Sequence, residues 1–557
     1  MGMRNDSFGK CLTILALFIL VLVAGIMFLS ALMFIFGVGM NPMILLISIG
    51  ISIGVLFFLS HAYFHDKWFI RGLLLLVVIS IVLVPGIVIS GYFFDVSSDG
   101  MGYHQSTIIY LVKKGWNPIR ESLPTHYCHA IWVNHYSKGM EYCAASLYAV
   151  TNRIEYGKVF NYLSLLAAFF IVVRLLLSLQ RFRLIPSILL GLIAAFNPVA
   201  LGQMLTYFVD GQMASYLTVL AAASISYFLH RDKASFAMIC LAAVIVCNLK
   251  FTGVAYAVVI TGGLWGAICI YDRSFRWREA VILLASGIAA VVLIGFNPYI
   301  TNIRDRGNPF YPALGGESDV LIRQWPFEER DGADESRFIR LFKSLYYSPE
   351  TGTITPYFHL LRRRIYWGLW DSRVAGFGPI FNIIISITLI SLIAFMMIAW
   401  RKNRRLFIWF GYYICILVFS IFITRACWWA RMAPQVWLIP VSVIVMAMHL
   451  PVRIAPFLYA MCALAFVNIG QCVYLIAGVQ ISSTEMMHSQ LNELKHAEQP
   501  VQFYPGVECF QSLAVRLKEH GISSIEVGSM SQLTLPNRLA LVRPDTDFIV
   551  AYRRKKI

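Results

Sequence analysis

The stretch GLLLLVVISIVLVPGIVISGYFFDVSSDG, residues 72–100, decides how this chain is read. Residues 72–92 carry no charge, and a helix of that length reaches across the roughly 30 Å hydrocarbon layer of a bilayer. Asp95 and Asp99 follow directly, where the helix would emerge. A membrane span ending in two surface carboxylates is the unit from which the rest is interpreted.

The same apolar signal recurs in both directions. Further spans are expected at 11–36, 43–60, 159–177, 186–205, 212–229, 234–249, 251–271, 280–296, 378–400, 406–424, 434–449 and 454–476, about thirteen transmembrane helices with 72–92 included. Composition agrees: 59% of the 557 residues are apolar, 13% are charged, and mean hydropathy is +0.69. A soluble protein carries about 25% charged residues, so soluble, fibrous and disordered classes are excluded. The run from Cys11 to Phe36 is too long for a signal peptide and lacks a small-residue cleavage pattern, so a retained first helix is expected.

The net charge of +17 is distributed as an orientation signal, not as a nucleic-acid-binding stripe. With the N-terminus cytoplasmic, the cytoplasmic stretches hold 17 of the 46 Lys and Arg against 5 of the 29 Asp and Glu, leaving 29 basic and 24 acidic residues elsewhere. That bias places loops 93–158 and 297–377, and the C-terminal segment 477–557, on the outer face. The expected organisation is a helical hairpin over 1–71, a transmembrane module over 72–476 and an extracytoplasmic segment over 477–557. In that segment, β-prone pieces at 524–527 and 548–552 and a helix near 509–520 suggest a small α+β cap; the alternative is an extension packed on the loops, because about 80 residues make a marginal independent core.

Chemistry concentrates in the outer loops. Asp99 has two readings, a helix N-cap or a general base beside the bilayer, and Asp95 is the fallback base. His104, near Asp99, is a further catalytic candidate that would steer Asp99 or bind sugar hydroxyls, with His126, His129 and His135 further along the loop. HYCH at 126–129 matches no defensible zinc spacing, and a Cys128–Cys143 disulfide competes with metal binding; no metal site is assigned. Asp210 in YFVDGQ serves either a turn or a polar substrate. Arg304 and Arg306 suit phosphate contacts. Arg362, Arg363 and Arg364 beside Tyr366, Trp367 and Trp370 read as an interfacial amphipathic helix. In TRACWWARMAP, Arg425 and Arg431 flank Trp428 and Trp429, which suits either an aromatic belt or a lipid-phosphate site.

Three tracts in this order, SDGMGYHQSTIIYLVKKGWNPI at 98–119, RGNPFYPALGG at 306–316 and WWARMAPQVWLIP at 428–440, resemble the GT-C superfamily of polytopic membrane glycosyltransferases. The resemblance covers roughly residues 72–450. It implies an all-α GT-C-like bundle with large outer loops and an essential acidic residue just after a transmembrane helix. Asp99 is the closer match to that residue, because it stands four residues ahead of the Tyr103–His104 pair.

The function so implied is sugar transfer from a polyprenyl-phosphate donor, such as undecaprenyl phosphate, to a glycan, lipid or protein acceptor at the outer face of a bacterial inner membrane. In this reading Asp99 takes the acceptor proton, and Arg425, Arg431, Arg304 and Arg306 neutralise the departing phosphate. Tyr103, Asp210, Trp428 and Trp429 line the sugar or lipid pocket, and single displacement inverts the anomeric centre. No cofactor is required and a divalent cation is not favoured. The rival readings are a transporter or flippase, which calls for ionisable groups deep in the helices, and a noncatalytic subunit of an envelope-assembly complex.

Overall fold

The apolar runs become helices because a backbone amide in lipid finds its hydrogen-bond partner only within its own helix. The computed structural model describes residues 2–125, 127, 129–179, 183–314, 335–346, 371–373, 376–450, 455–506, 510–542 and 548–555. Helices α1 (Gly2–Ile35), α2 (Pro42–Phe64) and α3 (Trp68–Tyr92) come first. The segment after α3 folds into α4 (Gln105–Lys113), α5 (Ala130–His135) and α6 (Gly139–Thr151). There follow α7 (Val159–Ser178), α8 (Leu184–Ala195), α9 (Pro198–Gly202), α10 (Asp210–His230), α11 (Lys233–Leu249), α12 (Phe251–Asp272) and α13 (Trp277–Ile288). Next come α14 (Thr301–Arg306) and α15 (Arg337–Tyr346), and the bundle closes with α16 (Phe381–Lys402), α17 (Arg404–Phe422), α18 (Leu438–Ala447) and α19 (Ala455–Lys495).

Every expected span overlaps a helix, though not always a single one. Among the described residues nine helical stretches are long and apolar enough to cross a membrane, one of them covering both α2 and α3. Three more apolar helices, α8, α11 and Pro434–Ala447, are shorter. The expected span 186–205 is broken after Ala195: Asn197 caps α9 by accepting from the Val199 amide at 3.0 Å, with Pro198 in the first turn. Asn197 also donates to the Pro434 carbonyl at 2.9 Å, so this break is tied to the start of another short helix.

Helix α1 lies inside the bundle, with Ile14, Ile19, Val23 and Ile26 fully buried. Helix α1 is therefore part of the core, whereas α2 leaves Met43, Leu46 and Phe58 exposed. Helices α3, α13 and α16 instead expose Ile81, Val88, Leu284 and Ile390, the surface expected of helices bathed in lipid.

Alternating helix directions sort the charged residues to two ends. One end holds Arg174–Asp232 at 3.0 Å and Arg231–Asp272 at 3.3 Å. The other, expected to face outward, gathers the ends of α3, α11 and α17 and the start of α10, with Asp99, Lys250, Arg431 and Asp210.

Helix α19 runs past the expected boundary at 476 to Lys495. At 1.5 Å per residue its 41 residues extend about 61 Å, roughly twice the hydrocarbon thickness. No Gly or Pro interrupts residues 479–495, so nothing ends the helix at the membrane surface. It leads into a four-stranded sheet of order β2-β1-β4-β3, formed by β1 (Ala497–Tyr504), β2 (Ser524–Glu526), β3 (Asn537–Ala540) and β4 (Ile549–Arg554), with α20 (Gln511–Glu519) between β1 and β2. Strands β1 and β2 are parallel, and the other two pairings are antiparallel. The apolar core of this unit includes Leu513, Leu517, Val550 and Phe548, and also Phe94, Val96, Met101 and Phe208 from the membrane module. It shares its core with the Asp99 loop.

Candidate active site

Asp95 and Asp99 take different parts, although both follow α3. Asp95 is fully buried, and its Oδ1 accepts from the Ser97 amide at 2.8 Å and the Ser97 hydroxyl at 2.6 Å. Its Oδ2 accepts from the Tyr207 amide at 2.7 Å. Burial raises its pKa above the usual carboxylate range, against the lowering pull of Lys158. A Cβ at Gly100 would stand 2.0 Å from Asp95 Oδ2, so the chain passes too close there for any side chain. Asp95 thus shapes the loop from inside.

Asp99 makes no capping hydrogen bond, which overturns the N-cap reading. Its own backbone is already helical, at φ −64° and ψ −39°, whereas a cap residue is extended. Its side chain turns to Arg431, with Oδ2 3.4 Å from Nη1, and remains 32% exposed.

Arg431 is the hub. It is 4% exposed, and its Nη1 also lies 2.7 Å from Asp371 Oδ1 and 3.8 Å from Asp210 Oδ2. The Arg431 and Ala430 amides donate to the Ser372 and Arg373 carbonyls at 3.0 and 2.9 Å, fixing the segment against the chain ahead of α16. Burial opposes the guanidinium charge, but Asp210, Asp371 and Asp99 outweigh it and hold the pKa above its ordinary value. Asp210 is not a turn residue. It opens α10 and pairs with Lys250 at 2.8 Å, between α11 and α12. With Arg373 on Asp371 at 2.6 Å, three carboxylates face three cations.

His104 does not steer Asp99. Its Nδ1 lies 2.5 Å from Glu141 Oε1 on α6, and its buried Nε2 meets no hydrogen-bond partner among the described residues. Its ring lies tilted by 37° against that of Tyr103, centroids 4.1 Å apart. Burial, then Asp99, raises the Tyr103 pKa well above its ordinary value, so the hydroxyl stays protonated. Two cavities of about 10 Å³, each with room for roughly one water, touch His104. One is lined by Tyr103, Tyr136 and Lys250 and the other by Glu141, Lys158 and Gln212.

The remaining expected site residues are dispersed. Trp429 is buried, with Arg373 4.6 Å and Arg431 5.7 Å from its ring. Trp428 is half-buried under Arg340 of α15 at 4.7 Å, and its carbonyl accepts from Ser344 at 2.6 Å. Arg425 is exposed in the preceding turn. Arg304 and Arg306 are exposed and make local contacts, Arg304 with Asp305 at 2.6 Å and Arg306 over Tyr311 at 4.8 Å. The structure thus brings the first and third sequence landmarks into direct contact through Asp99 and Arg431. The second is joined to the first loop by Asn302, whose side chain bonds His135 Nδ1 at 2.7 Å and the Tyr311 carbonyl at 2.9 Å.

Cys143 is a free buried thiol directed at the Val23 carbonyl at 3.8 Å. Cys128 and His126 lie outside the described residues, as do Arg362, Arg363, Arg364, Tyr366, Trp367 and Trp370. Among the described residues no three His, Cys, Asp or Glu side chains form a metal-holding group. Sequence reading missed Lys250, Asp371, Glu141 and Glu155. Lys250 had a signal, an isolated charge between two apolar runs; Asp371 had none beyond its proximity to α16.

The chain is similar to a solved structure described as ArnT from Cupriavidus metallidurans bound to undecaprenyl phosphate. Identity is 13%, the TM-score is 0.35, and the match covers 82% of this chain and 86% of that one. No protein-family model matches the chain, and no curated protein matches it.

Proposed function

We propose that the protein is a membrane glycosyltransferase that moves a sugar from a polyprenyl-phosphate donor to a hydroxyl of a cell-envelope acceptor. The observation that carries this reading is the Asp99–Arg431 pair, a carboxylate and a guanidinium joined at the mouth of a helix bundle. Of the three acids at Arg431, Asp99 is the most accessible, at 32% against 26% for Asp371 and 3% for Asp210. An acceptor hydroxyl can reach it without entering the bundle. Asp99 takes that proton as the oxygen attacks the anomeric carbon. Arg431, already charged and desolvated, meets the negative charge growing on the leaving phosphate without reorganising. Displacement in one step inverts the anomeric centre; a retaining reaction needs a second carboxylate as nucleophile.

The ion pairs at the two ends of the helices count against the transporter reading, because a translocation path needs ionisable groups at bilayer depth. The setting this function requires is a bacterial inner membrane with the Asp99 end outward, where lipid-carried sugars replace nucleotide donors. The test uses purified protein, a labelled undecaprenyl-phosphate sugar and candidate lipid and glycan acceptors. Asp99→Asn is expected to reduce transfer by about 100-fold or more, and undiminished transfer would remove Asp99 from the role of base.

A further inference from the structure

The loop carrying Asp99 is held from the far end of the chain. Its Phe94 amide donates to Thr484 Oγ1 at 3.3 Å, and the Phe94 carbonyl accepts from Gln480 at 2.6 Å, both on α19. The Met101 carbonyl, two residues past Asp99, accepts from Ser512 on α20 at 3.5 Å. Between these contacts sits Arg516, a fully buried arginine. Its Nη2 donates to the Asp95 carbonyl at 2.6 Å, and its Nε to Glu155 Oε1 at 2.8 Å. The other oxygen of Glu155 accepts from the Asp95 amide at 3.1 Å and pairs with Lys158 at 2.5 Å. Asp95 is thus gripped at both its amide and its carbonyl by one ion-pair network that begins in the C-terminal unit.

A buried ion pair is a poor source of net stability, because desolvation consumes most of the attraction. The apolar contacts of Leu513 and Leu517 with Phe94, Val96 and Met101 already dock α20 on the loop. What Arg516 adds is direction, since a rigid guanidinium fork bonded to a backbone carbonyl and a carboxylate sets where the chain must lie. We infer that Arg516 is a positioning residue: through Asp95 and Glu155 it holds the 95–101 turn so that Asp99 faces Arg431, making the C-terminal unit a working part of the catalytic centre. The catalytic half of this inference rests on the role proposed above for Asp99; the structural half does not.

The experiment compares full-length wild type, Arg516→Met and Arg516→Lys in detergent micelles. Methionine retains much of the apolar stem, and Glu155 keeps Lys158, so no carboxylate is stranded. Amide hydrogen exchange over residues 94–104 should accelerate about tenfold or more in Arg516→Met while β1 and β4 stay unchanged. Turnover of the undecaprenyl-phosphate sugar should fall about 10- to 100-fold, as expected for a misplaced reacting group, with KM nearly unmoved. Arg516→Lys, able to bond one partner but not both in the same geometry, should lie between. Unchanged exchange at 94–104 would overturn the inference, as would a rate loss accompanied by equal loosening of β1 and β4. If Arg516→Met does not fold, the same criteria apply to Arg516→Lys. If wild type transfers no sugar, the reading of function fails while the exchange data still decide whether Arg516 orders the loop.

Discussion

Replacing Arg431 by methionine should shorten the life of the folded protein far more than replacing Asp99 by asparagine, although the two side chains are paired. Arg431 is 4% exposed and serves three carboxylates. Its removal leaves Lys250 on Asp210 and Arg373 on Asp371, so the cluster passes from charge balance to one net negative charge. Breaking a buried pair costs about 3–5 kcal/mol, and the two retained cations put the expectation near the lower end, about 3 kcal/mol. Asp99 is a third exposed and 3.4 Å from its partner, a geometry worth about 0–1 kcal/mol. Asparagine also leaves Arg431 two carboxylates. Large membrane proteins unfold irreversibly, so the assay is the half-life of the folded state in detergent at one elevated temperature. If the loss appears fully in the unfolding barrier, Arg431→Met shortens the half-life by about 150-fold and Asp99→Asn by no more than about fivefold. Equal half-lives would show that Arg431 does not hold the site together.

Three further outcomes follow from the geometry. Asp95→Ala should lower stability by about 1–3 kcal/mol, because it strands the Ser97 and Tyr207 amides in a buried place; thermal half-life against Asp99→Asn measures the contrast. Burial, opposed by the Ile154 amide, Arg153 and Arg516 and reinforced by Glu155, pushes Glu519 from 4.5 up to about 7. The folded chain therefore holds this proton more tightly than the unfolded one, so the stability that Glu519 contributes is full below about 4.5 and is lost as pH rises toward about 7; Glu519→Gln should remove that component from a half-life series across pH. Finally, Cys143 should resist alkylation in the folded protein and react after denaturation without prior reduction, read by mass spectrometry of its peptide.

The spans were legible because lipid imposes a local rule: a run of apolar residues must be helical whatever its neighbours. The boundaries were less so. Helix α19 overshoots its apolar segment because no breaker stops it, and 186–205 is divided because Asn197 and Pro198 start a new helix inside it. The β-prone pieces near 524–527 and 548–552 appear as strands β2 and β4.

The site divides in the same way. Asp99 and Arg431 were identifiable from the sequence by residue type and by position at the ends of apolar runs. Their contact across 332 positions was not; the resemblance favoured Asp99 over Asp95, but the different surroundings of the two were not legible. Two aspartates four residues apart look equivalent along a chain; only the packed loop buries one against the Tyr207 amide and leaves the other open beside an arginine. Lys250, Asp371, Glu141 and Arg516 belong to the same class, since a charge acquires its partner from the fold and not from its neighbours in sequence. What the amino-acid order determined alone was which segments enter the membrane and at which end the polar groups collect, because hydrophobic transfer is settled segment by segment. Which of those groups meet was left to tertiary packing, because electrostatic pairing depends on distances of a few ångströms between residues hundreds of positions apart.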